Sequence, residues 1–350
     1  MGDLARLYRR LKLAWRVLVH GPESENHVRA LRPLTTEEVE EAQSFFPLRK
    51  FFVFGHARSG TTLLARLIRV HPQVHCNWQA HFFTRPPTLE GLVNRDEIGE
   101  WFSRRSNRWN RGQDLSPVAV RAIADFILER EARRLGKTVV GDKSPNSLLH
   151  GEAVRLLHKI YPDGKLIFIV RDGRDAAISH RFQIFIDASQ HLTKEDRAIR
   201  TAFERDPEPF LCGERSIFTE KAICRAARDW ARNVIETDQL GRALFGDQYI
   251  ALRYEDLLES PMEQMTRLWE FLSVDTILSE LPHLLEDELT QNPDRDWQRH
   301  KAEKLISPLS KGKSGSWREL FTRRDKTVFY EIASAALAAW GYDKSDEVTK

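Results

Sequence analysis

The sequence contains little cysteine and no long apolar run. Three cysteines, Cys76, Cys212 and Cys224, lie far apart among its 350 residues. This odd, scattered set implies no disulfide framework, fits no zinc site and favours a reducing compartment. Its longest apolar runs, such as residues 166–170, are far shorter than the ~20 residues that cross a bilayer, and no cleavable signal pattern opens the chain. We therefore expect a cytoplasmic protein without a transmembrane helix.

A large excess of one charge is also absent. The chain carries 54 Lys and Arg residues against 51 Asp and Glu residues, which gives a formal net charge of +3. This balance argues against a general nucleic-acid coat, so we expect no nucleic-acid partner. The 18 glycines and 15 prolines are ordinary numbers and 41% of the residues are hydrophobic. Collagenous and disordered classes are thereby excluded, and a large core is possible.

The N-terminal residues form an amphipathic, basic pattern. Five apolar side chains recur there at helical spacing, with arginines and a lysine between them: Leu4, Leu7, Leu11, Trp15 and Leu18. A helix over residues 4–19 would either dock on the main domain or make peripheral contact with a membrane surface. Residues 21–47 indicate a connector with one short helix. The predicted division is an N-terminal segment, 1–47, followed by a single domain, 48–345.

Short apolar strands alternate with helical patterns in the rest of the chain. The predicted strands cover residues 51–54, 74–76, 138–140, 166–170 and 249–252. The predicted helices cover residues 61–70, 118–135, 148–160, 219–245 and 261–272. Apolar strands between helices are typical of a parallel sheet that is covered on both faces. The pattern predicts an α/β fold with three layers, α/β/α, around a central parallel sheet.

A glycine-rich turn follows the first predicted strand. Gly55 and Gly60 are five residues apart, and the turn reads Gly-His-Ala-Arg-Ser-Gly-Thr-Thr from Gly55. Backbone N–H groups and a helix N-terminus in this arrangement can surround a phosphate, whereas the alternative is an ordinary tight turn. An ATP-binding loop would carry lysine where this chain has Thr61, and the cation stands instead at Arg58. A guanidinium at that place can bridge two anionic oxygens.

This turn, together with His71 and Pro72, resembles the 5′-phosphosulfate loop of the sulfotransferases that use 3′-phosphoadenosine 5′-phosphosulfate (PAPS). Its Arg-Ser-Gly-Thr-Thr run is most similar to the tyrosylprotein and bacterial branch of that family. The resemblance implies a fold like that of the P-loop nucleotide hydrolases, PAPS as the donor, and no metal. It assigns Arg58 to catalysis and to donor binding, and four further residues of the turn to donor binding: Ser59, Gly60, Thr61 and Thr62.

A second anchor follows the strand at 166–170. Arg171 comes directly after that strand, and Ser179 lies eight residues later, two helical turns on. The pair resembles the 3′-phosphate motif of the family. Read without the resemblance, Arg171 with Asp172, Arg174 and Asp175 could be a surface ion-pair cluster.

A third anchor lies near the C-terminus. The run Lys-Gly-Lys-Ser-Gly-Ser-Trp from Lys311 resembles the late loop with which the family covers the 3′-phosphate. This resemblance assigns Lys311, Gly312 and Gly315 to donor binding. A solvated linker is the alternative interpretation.

Two further residues follow predicted strands. Lys143 stands in a Lys-Ser-Pro turn that resembles a family turn, which makes it a candidate to contact the sulfonate or the bridging oxygen; a plain surface lysine is the alternative. Tyr254 stands in a Tyr-Glu-Asp-Leu run that resembles the family's adenine-lining segment; core packing is the competing role.

The acceptor's proton needs a base within hydrogen-bond reach. The resemblance places Gln79 where the tyrosylprotein branch has glutamate, and an amide cannot take up a proton near neutral pH. Gln79 would then only orient the acceptor. His81 would face the same way as Gln79 in an extended segment and is our candidate base; packing beside Phe82 and Phe83 is the alternative. His56, inside the loop, is interpreted as structural.

The leading hypothesis is transfer of a sulfonate group by in-line displacement from PAPS to a hydroxyl-bearing acceptor. The acceptor could be a glycan, a lipid, a small alcohol or phenol, or tyrosine, and residues 84–116 and 182–218 are predicted insertions that build its pocket. An ATP-dependent kinase and a non-catalytic nucleotide-binding protein are the alternatives. The sequence does not indicate the oligomeric state.

Overall fold

The computed structural model describes residue 15 and residues 30–94, 96–148, 150–291 and 314–343. Most of the helix predicted at 4–19 lies outside the described residues, and so do Lys311 and Gly312 of the late loop. Trp15 alone is described within the N-terminal segment, where it is helical and 64% exposed.

Five parallel strands form one sheet. In chain order they are β1 (Arg49–Phe54), β2 (Val74–Trp78), β3 (Val139–Lys143), β4 (Lys165–Val170) and β5 (Tyr249–Arg253). Their order across the sheet is β2-β3-β1-β4-β5. All five were expected from the apolar runs, and β3 continues three residues further than expected, through Lys143.

Helices connect and cover the strands. Around the first strands lie α1 (Thr36–Phe45), α2 (Thr61–Ile68), α3 (Asp96–Ser103) and α4 (Ser116–Arg134). Between β3 and β5 lie α5 (Glu152–Ile160), α6 (Gly173–Asp187), α7 (Lys194–Arg205), α8 (Glu208–Leu211) and α9 (Glu220–Phe245). The later helices are α10 (Tyr254–Glu259), α11 (Pro261–Phe271), α12 (Leu281–Thr290), α13 (Trp317–Leu320) and α14 (Arg323–Ala339).

Two hydrophobic cores lie on opposite faces of the sheet. Phe52 and Phe54 of β1 pack into one core with residues of α4, α5, α6 and α9. Phe51 and Val53, the alternate residues of the same strand, pack into the other with residues of α2, α11 and α12. Side chains of a strand point alternately to its two faces. The expected three-layer α/β/α fold with a central parallel sheet is therefore confirmed.

The strand order brings three loops to one edge of the sheet. The central strand β1 pairs with β3 on one side and with β4 on the other, so Val53 lies opposite Lys143 and Phe54 opposite Phe168. The chain reverses its direction of winding at β1, and ligands of open α/β sheets bind outside the carboxyl ends of strands at such a point. The loops after β1, β3 and β4 are the three that carry Arg58, Lys143 and Arg171.

The segments at 84–116 and 182–218 supply additional helical structure. The first contains a 3-10 turn at Leu89–Leu92 and helix α3, and the second contains the end of α6 with α7 and α8. No helix in the described parts of the chain has both the length and the apolar character needed to span a bilayer.

Candidate functional site

The loop between β1 and α2 makes a close turn that depends on its glycines. A Cβ atom at Gly55 would lie 2.8 Å from the Ile169 carbonyl oxygen, and one at Gly60 would lie 2.2 Å from the Tyr254 ring. Gly60 also has a φ of 88°, which favours glycine, and Arg58 adopts a φ of 70°. Side chains at the two glycines would therefore push the loop away from β4 and from Tyr254.

The loop has the properties of an anion site. Gly60 precedes α2 and provides no side-chain cap, so the helix N-terminus keeps its partial positive charge and its unbonded N–H groups. The Ser59 hydroxyl is buried and has no hydrogen-bond partner among the residues described. A buried polar atom of this kind calls for an external partner. The residues present thus fit a phosphate or sulfonate group.

The first two predicted anchors are in direct contact. Arg58 Nε donates a hydrogen bond to Ser179 Oγ at 3.0 Å, and Arg171 Nη1 donates to the Arg58 carbonyl oxygen at 3.3 Å. Asp172 binds Arg174 at 2.7 Å, and Arg171 lies over the Tyr254 ring at 4.8 Å from its centroid. Residues 121 positions apart in the chain therefore share one site.

Tyr254 packs in the core and lies beside the loop after β1. The side chain is 7% exposed and belongs to the core on the α2 side of the sheet. Its ring also forms the surface against which Gly60 turns and on which the Arg171 guanidinium lies. Core packing thus holds this ring at the edge of the anion loop.

Lys143 ends β3 beside the same loop. Its Nζ donates a hydrogen bond to Thr62 Oγ1 at 3.2 Å and lies 4.9 Å from the centre of the Trp78 ring. The side chain is only 1% exposed, so it is not a surface lysine. Burial lowers the pKa of Lys143, and the nearby Arg58 lowers it further. The ammonium group is thus a desolvated cation next to the first helical turn of α2.

The segment after β2 departs from the expected extended form. Gln79 and His81 have φ angles of 51° and 52°, so the expectation that both side chains face the same way in an extended segment is wrong. The cause is the end of β3. The Gln79 N–H donates to the Lys143 carbonyl, the Ala80 N–H to the Asp142 carboxylate, and the His81 N–H to Ser144 Oγ. These three bonds bend the chain into a turn.

His81 lies in that turn with its ring held by a hydroxyl. Its Nδ1 is 2.8 Å from Thr84 Oγ1. Burial lowers the pKa of His81, and the charges of Arg85 and Lys143 lower it further. The ring is half-buried, unlike its neighbours Phe82 and Phe83, which are core residues. A neutral imidazole is therefore present at neutral pH, as a base requires, while Gln79 is exposed beside it.

The described end of the late loop is attached next to the second anchor. The N–H groups of Gly315 and Trp317 donate to the Asp175 carboxylate at 2.6 and 3.0 Å. Gly315 has a φ of 90°, and the Trp317 ring lies against the Arg174 guanidinium. This part of the loop is not a solvated linker. Lys311 and Gly312 lie outside the described residues.

Sequence reasoning overlooked two residues of the site. Trp78 ends β2, is 46% exposed and has its ring between the Lys143 ammonium and the Arg69 guanidinium. Asp142 precedes Lys143 and binds both the Ala80 N–H and the Ser144 hydroxyl. Their places at the carboxyl ends of β2 and β3 were the available signal. His56, by contrast, has its pKa lowered to about 4 by burial and contacts only the carbonyl of Ala57 through its ring Nδ1, as fits a structural residue.

An uncapped helix N-terminus, a buried hydroxyl without a partner among the described residues and three cationic side chains lie together at one edge of the sheet in this α/β fold, an arrangement that fits an anion. The model of the Sulfotransferase family matches residues 50–277, and the chain belongs to that family. The family expected from the sequence is thus confirmed.

Individual relatives are more distant. Protein-tyrosine sulfotransferase 1 of Danio rerio is 30% identical over 161 residues, which cover 43% of this chain and 42% of the relative. The protein-tyrosine sulfotransferase of Drosophila melanogaster is 25% identical over 225 residues, which cover 64% of this chain and 38% of the relative. The chain thus spans about two fifths of the length of these relatives. A crystal structure of mouse sulfotransferase SULT7A1 with PAP is similar with a TM-score of 0.44 at 17% identity, covering 87% of this chain and 90% of that one.

Proposed function

We propose that this protein transfers the sulfonate group of PAPS to a hydroxyl-bearing acceptor and releases adenosine 3′,5′-bisphosphate. The observation that carries the proposal is the contact of Arg58 with Ser179, which joins the loop after β1 to the helix after β4. A donor with phosphate groups at both the 5′ and the 3′ position of its ribose needs two neighbouring anion sites. An ATP-dependent kinase is not favoured, because Thr61 stands where its lysine would be.

The donor's 5′ end would lie in the loop after β1. Its ligands would be the Ser59 hydroxyl, the Gly60, Thr61 and Thr62 segment at the N-terminus of α2, and Arg58. Binding there gives Ser59 the partner that it lacks among the described residues.

The 3′-phosphate would lie against the N-terminal half of α6. Arg171 and Ser179 would hold it, with the late loop of Lys311, Gly312 and Gly315 closing over it. Because Arg58 and Ser179 are both ligands in this proposal, their mutual hydrogen bond is exchanged for bonds to the donor. Tyr254, whose ring lies beside Gly60 and Arg171, would line the adenine.

Bound PAPS supplies an activated sulfonate with a phosphate leaving group. Lys143 and Arg58 would stabilise the negative charge that grows on the oxygens between them, as cations do in phosphoryl transfer. Burial increases the value of Lys143, which lies at the end of β3 next to Trp78, whereas Arg58 is exposed. The proposed chemistry requires no covalent enzyme intermediate and no metal.

His81 would take the acceptor's proton. If its Nδ1–H donates to Thr84, Nε2 keeps the lone pair that a base needs. The lowered pKa keeps the ring neutral at physiological pH. Gln79, exposed beside it, would orient the acceptor by hydrogen bonds.

The acceptor is proposed by class only. The curated relatives are named for protein tyrosine, and this chain would accept a hydroxyl on tyrosine, a glycan, a lipid or a small alcohol or phenol. The segments at 84–116 and 182–218 would build the pocket, and the exposed Trp78 would contact the acceptor next to Lys143. We further propose a cytoplasmic location with peripheral membrane contact.

The deciding experiment has two steps. Calorimetric titration with adenosine 3′,5′-bisphosphate tests the donor site, and sulfur-labelled PAPS incubated with a mixed extract tests transfer, with the labelled class identified by mass. Saturable binding followed by labelled acceptor is expected. Binding without transfer across a broad acceptor panel would mean a non-catalytic nucleotide-binding protein, and absence of binding would overturn the proposal altogether. Magnesium-dependent ATP binding would revive the kinase alternative.

A further inference from the structure

Two tryptophans of the insertion after β2 are exposed to solvent. Trp101 and Trp109 are 54% and 51% exposed, and their rings stack with centroids 4.8 Å apart. Phe102 contacts both rings edge-on. Leu92 and Ile98 of the same insertion are also largely exposed. Contiguous exposed apolar surface of this kind marks an interaction site more often than isolated side chains do.

Polar contacts fix the positions of these exposed rings. The Asn107 side chain donates to the Trp101 carbonyl at 2.9 Å, and the buried Asn110 donates to the Phe102 carbonyl at 3.1 Å and to the Gln113 carbonyl at 2.9 Å. These bonds fasten the loop that carries Trp109 onto α3. The tryptophan pair is therefore a preformed feature of the surface.

Positive charge follows Trp101 in the chain, whereas Glu97 and Glu100 precede it on α3. Residues 104–111 contain four arginines and no acidic residue. Arg104 pairs with Glu100, whereas Arg105, Arg108 and Arg111 are exposed and meet no carboxylate elsewhere in the described chain. We call Trp101, Trp109 and these three arginines the tryptophan ridge. Apolar rings next to cations with no internal partner fit an anionic surface that also has an apolar layer.

The first described residues of the main domain contact the insertion that carries the ridge. The Leu31 N–H donates to Glu90 Oε1 at 3.3 Å, and Arg32 Nη2 donates to the Asp114 carbonyl at 2.7 Å. Residues 31 and 32 thus contact both ends of the insertion. The basic amphipathic pattern at 4–19 is joined to this point by about eleven residues, which can span at most ~36 Å.

We propose that the tryptophan ridge binds an anionic membrane surface. Trp101 and Trp109 would enter the headgroup region, where indole rings are favoured, and Arg105, Arg108 and Arg111 would contact lipid phosphates. A membrane is favoured over an acidic glycan or peptide, because the exposed aliphatic side chain of Ile98 lies one helical turn before Trp101 on α3. This interaction is separate from the donor site.

The test measures partition of the full chain onto vesicles. Vesicles of phosphatidylcholine alone are compared with vesicles that also contain phosphatidylserine, at low and high salt. The wild type should bind only the anionic vesicles and should be released by salt. Each arginine near such a surface contributes roughly fivefold to partition, so Arg105→Gln with Arg108→Gln should weaken binding about twenty-fold or more.

Matched variants separate the ridge from general effects. Arg225→Gln with Arg228→Gln removes two exposed arginines of α9, and Ile277→Ser removes an apolar side chain that is 90% exposed. Both controls should bind vesicles as the wild type does, whereas Trp101→Ser with Trp109→Ser should lose binding. A thermal shift with adenosine 3′,5′-bisphosphate, preserved in every variant, shows that the fold and donor site are intact.

Three results would overturn the proposal. One is equal binding to neutral and anionic vesicles. Another is vesicle binding that is unchanged in both ridge variants, which would assign any membrane contact to residues 4–19 alone. The third is ridge-dependent retention on heparin or polyglutamate without vesicle binding, which would mean an acidic polymer as the partner. None of these depends on whether the protein transfers sulfonate.

Discussion

Two clusters of positive charge in this molecule use the same residue types and have different partners. In the first, Lys50 Nζ lies 2.5 Å from Glu129, and the Arg121 guanidinium lies 2.6 Å from Asp125 and 2.7 Å from Asp163. Lys50 and Arg121 are almost completely buried. We call this cluster the buried ion network. Each of its cations has at least one carboxylate within ion-pair distance.

The second cluster is the cation edge, formed by Arg58, Lys143 and Arg171 at the carboxyl ends of the strands. Its contacts include neutral groups: Arg58 contacts the Ser179 hydroxyl, Lys143 the Thr62 hydroxyl, and Arg171 a carbonyl and an aromatic ring. For Lys143, no carboxylate among the described residues lies within ion-pair distance.

From this difference we expect that the partners of a charged side chain, and not its residue type, separate structural from functional charge. A buried charge is stable when an opposite charge and hydrogen bonds compensate the loss of water. The buried ion network meets this condition internally. The cation edge holds positive charge next to the unpaired Ser59 hydroxyl, which supports its assignment to an external anion.

The largest expected effect comes from breaking the buried ion network. Arg121→Ala leaves the buried Asp125 with the more distant Lys50, at 3.5 Å, and removes the guanidinium that pairs with Asp163, so it should lower the free energy of unfolding by about 3–5 kcal/mol, measured in urea. Arg134→Ala on the same helix is the control, since Arg134 is exposed and its pair with Glu131 is long, at 3.6 Å. That control should change stability by less than about 1 kcal/mol. Equal effects of the two substitutions would mean that the network is not structural.

The same substitution at the cation edge should affect activity instead. Arg58→Ala removes one charge-stabilising donor and should reduce turnover about 10²- to 10³-fold, and it should weaken binding of adenosine 3′,5′-bisphosphate in calorimetry. Stability in urea should remain close to that of the wild type, because Arg58 is exposed. Arg228→Ala, an exposed arginine on α9, should change neither property. Near-normal turnover in Arg58→Ala would remove the role proposed for the loop.

The next effect concerns the proton. His81→Ala should lower turnover about 10²-fold with the acceptor found by labelled PAPS. Because the pKa of His81 is lowered, the wild-type rate should decline only below about pH 6.5, and this decline should disappear in the variant. His150→Ala, which changes an exposed histidine, is the control. Gln79→Glu added to His81→Ala should recover part of the rate if a carboxylate at that place can replace the imidazole. An unchanged pH profile in His81→Ala would exclude His81 as the base.

The sheet and the anchors after β1 and β4 could be predicted because their signals are local. An apolar run of five or six residues that ends in a glycine-rich or basic turn already specifies a buried strand and its exposed end. Arg171 and Ser179 needed only helical spacing to be brought to one side of α6. Family membership then followed from the order of these segments in the chain.

The turn at Gln79 to His81 could not be predicted in this way. Its shape is imposed by Asp142 and Ser144, which are more than 60 residues away in the sequence. Trp78 is a similar case, since an aromatic residue at the end of a strand is usually core, and only the pairing of β2 with β3 brings it over Lys143. In both cases the sequence prediction is incomplete because residues at the end of β3 determine the structure at the end of β2.

The smallest expected effect concerns Asp142, the carboxylate that precedes Lys143 of the cation edge in β3. Burial raises the pKa of Asp142 to about 6, from an ordinary value of about 3.9, despite its bonds to Ser144 and Ala80. The folded protein therefore binds the proton of the Asp142 carboxyl group more tightly than the unfolded chain does. The stability that this proton contributes is present at low pH and is lost as pH rises toward 6. Asp142→Asn cannot titrate. Between pH 4 and 6 the free energy of unfolding should therefore fall less steeply with rising pH in this variant than in the wild type, and the two slopes should differ by up to about 1.4 kcal/mol per pH unit. Urea unfolding across that range measures the slope, with the exposed Asp247→Asn as the control. A slope that is the same in wild type and Asp142→Asn would mean that Lys143 keeps this carboxylate ionised, and Asp142 and Lys143 would then act as a buried ion pair like those of Lys50 and Arg121.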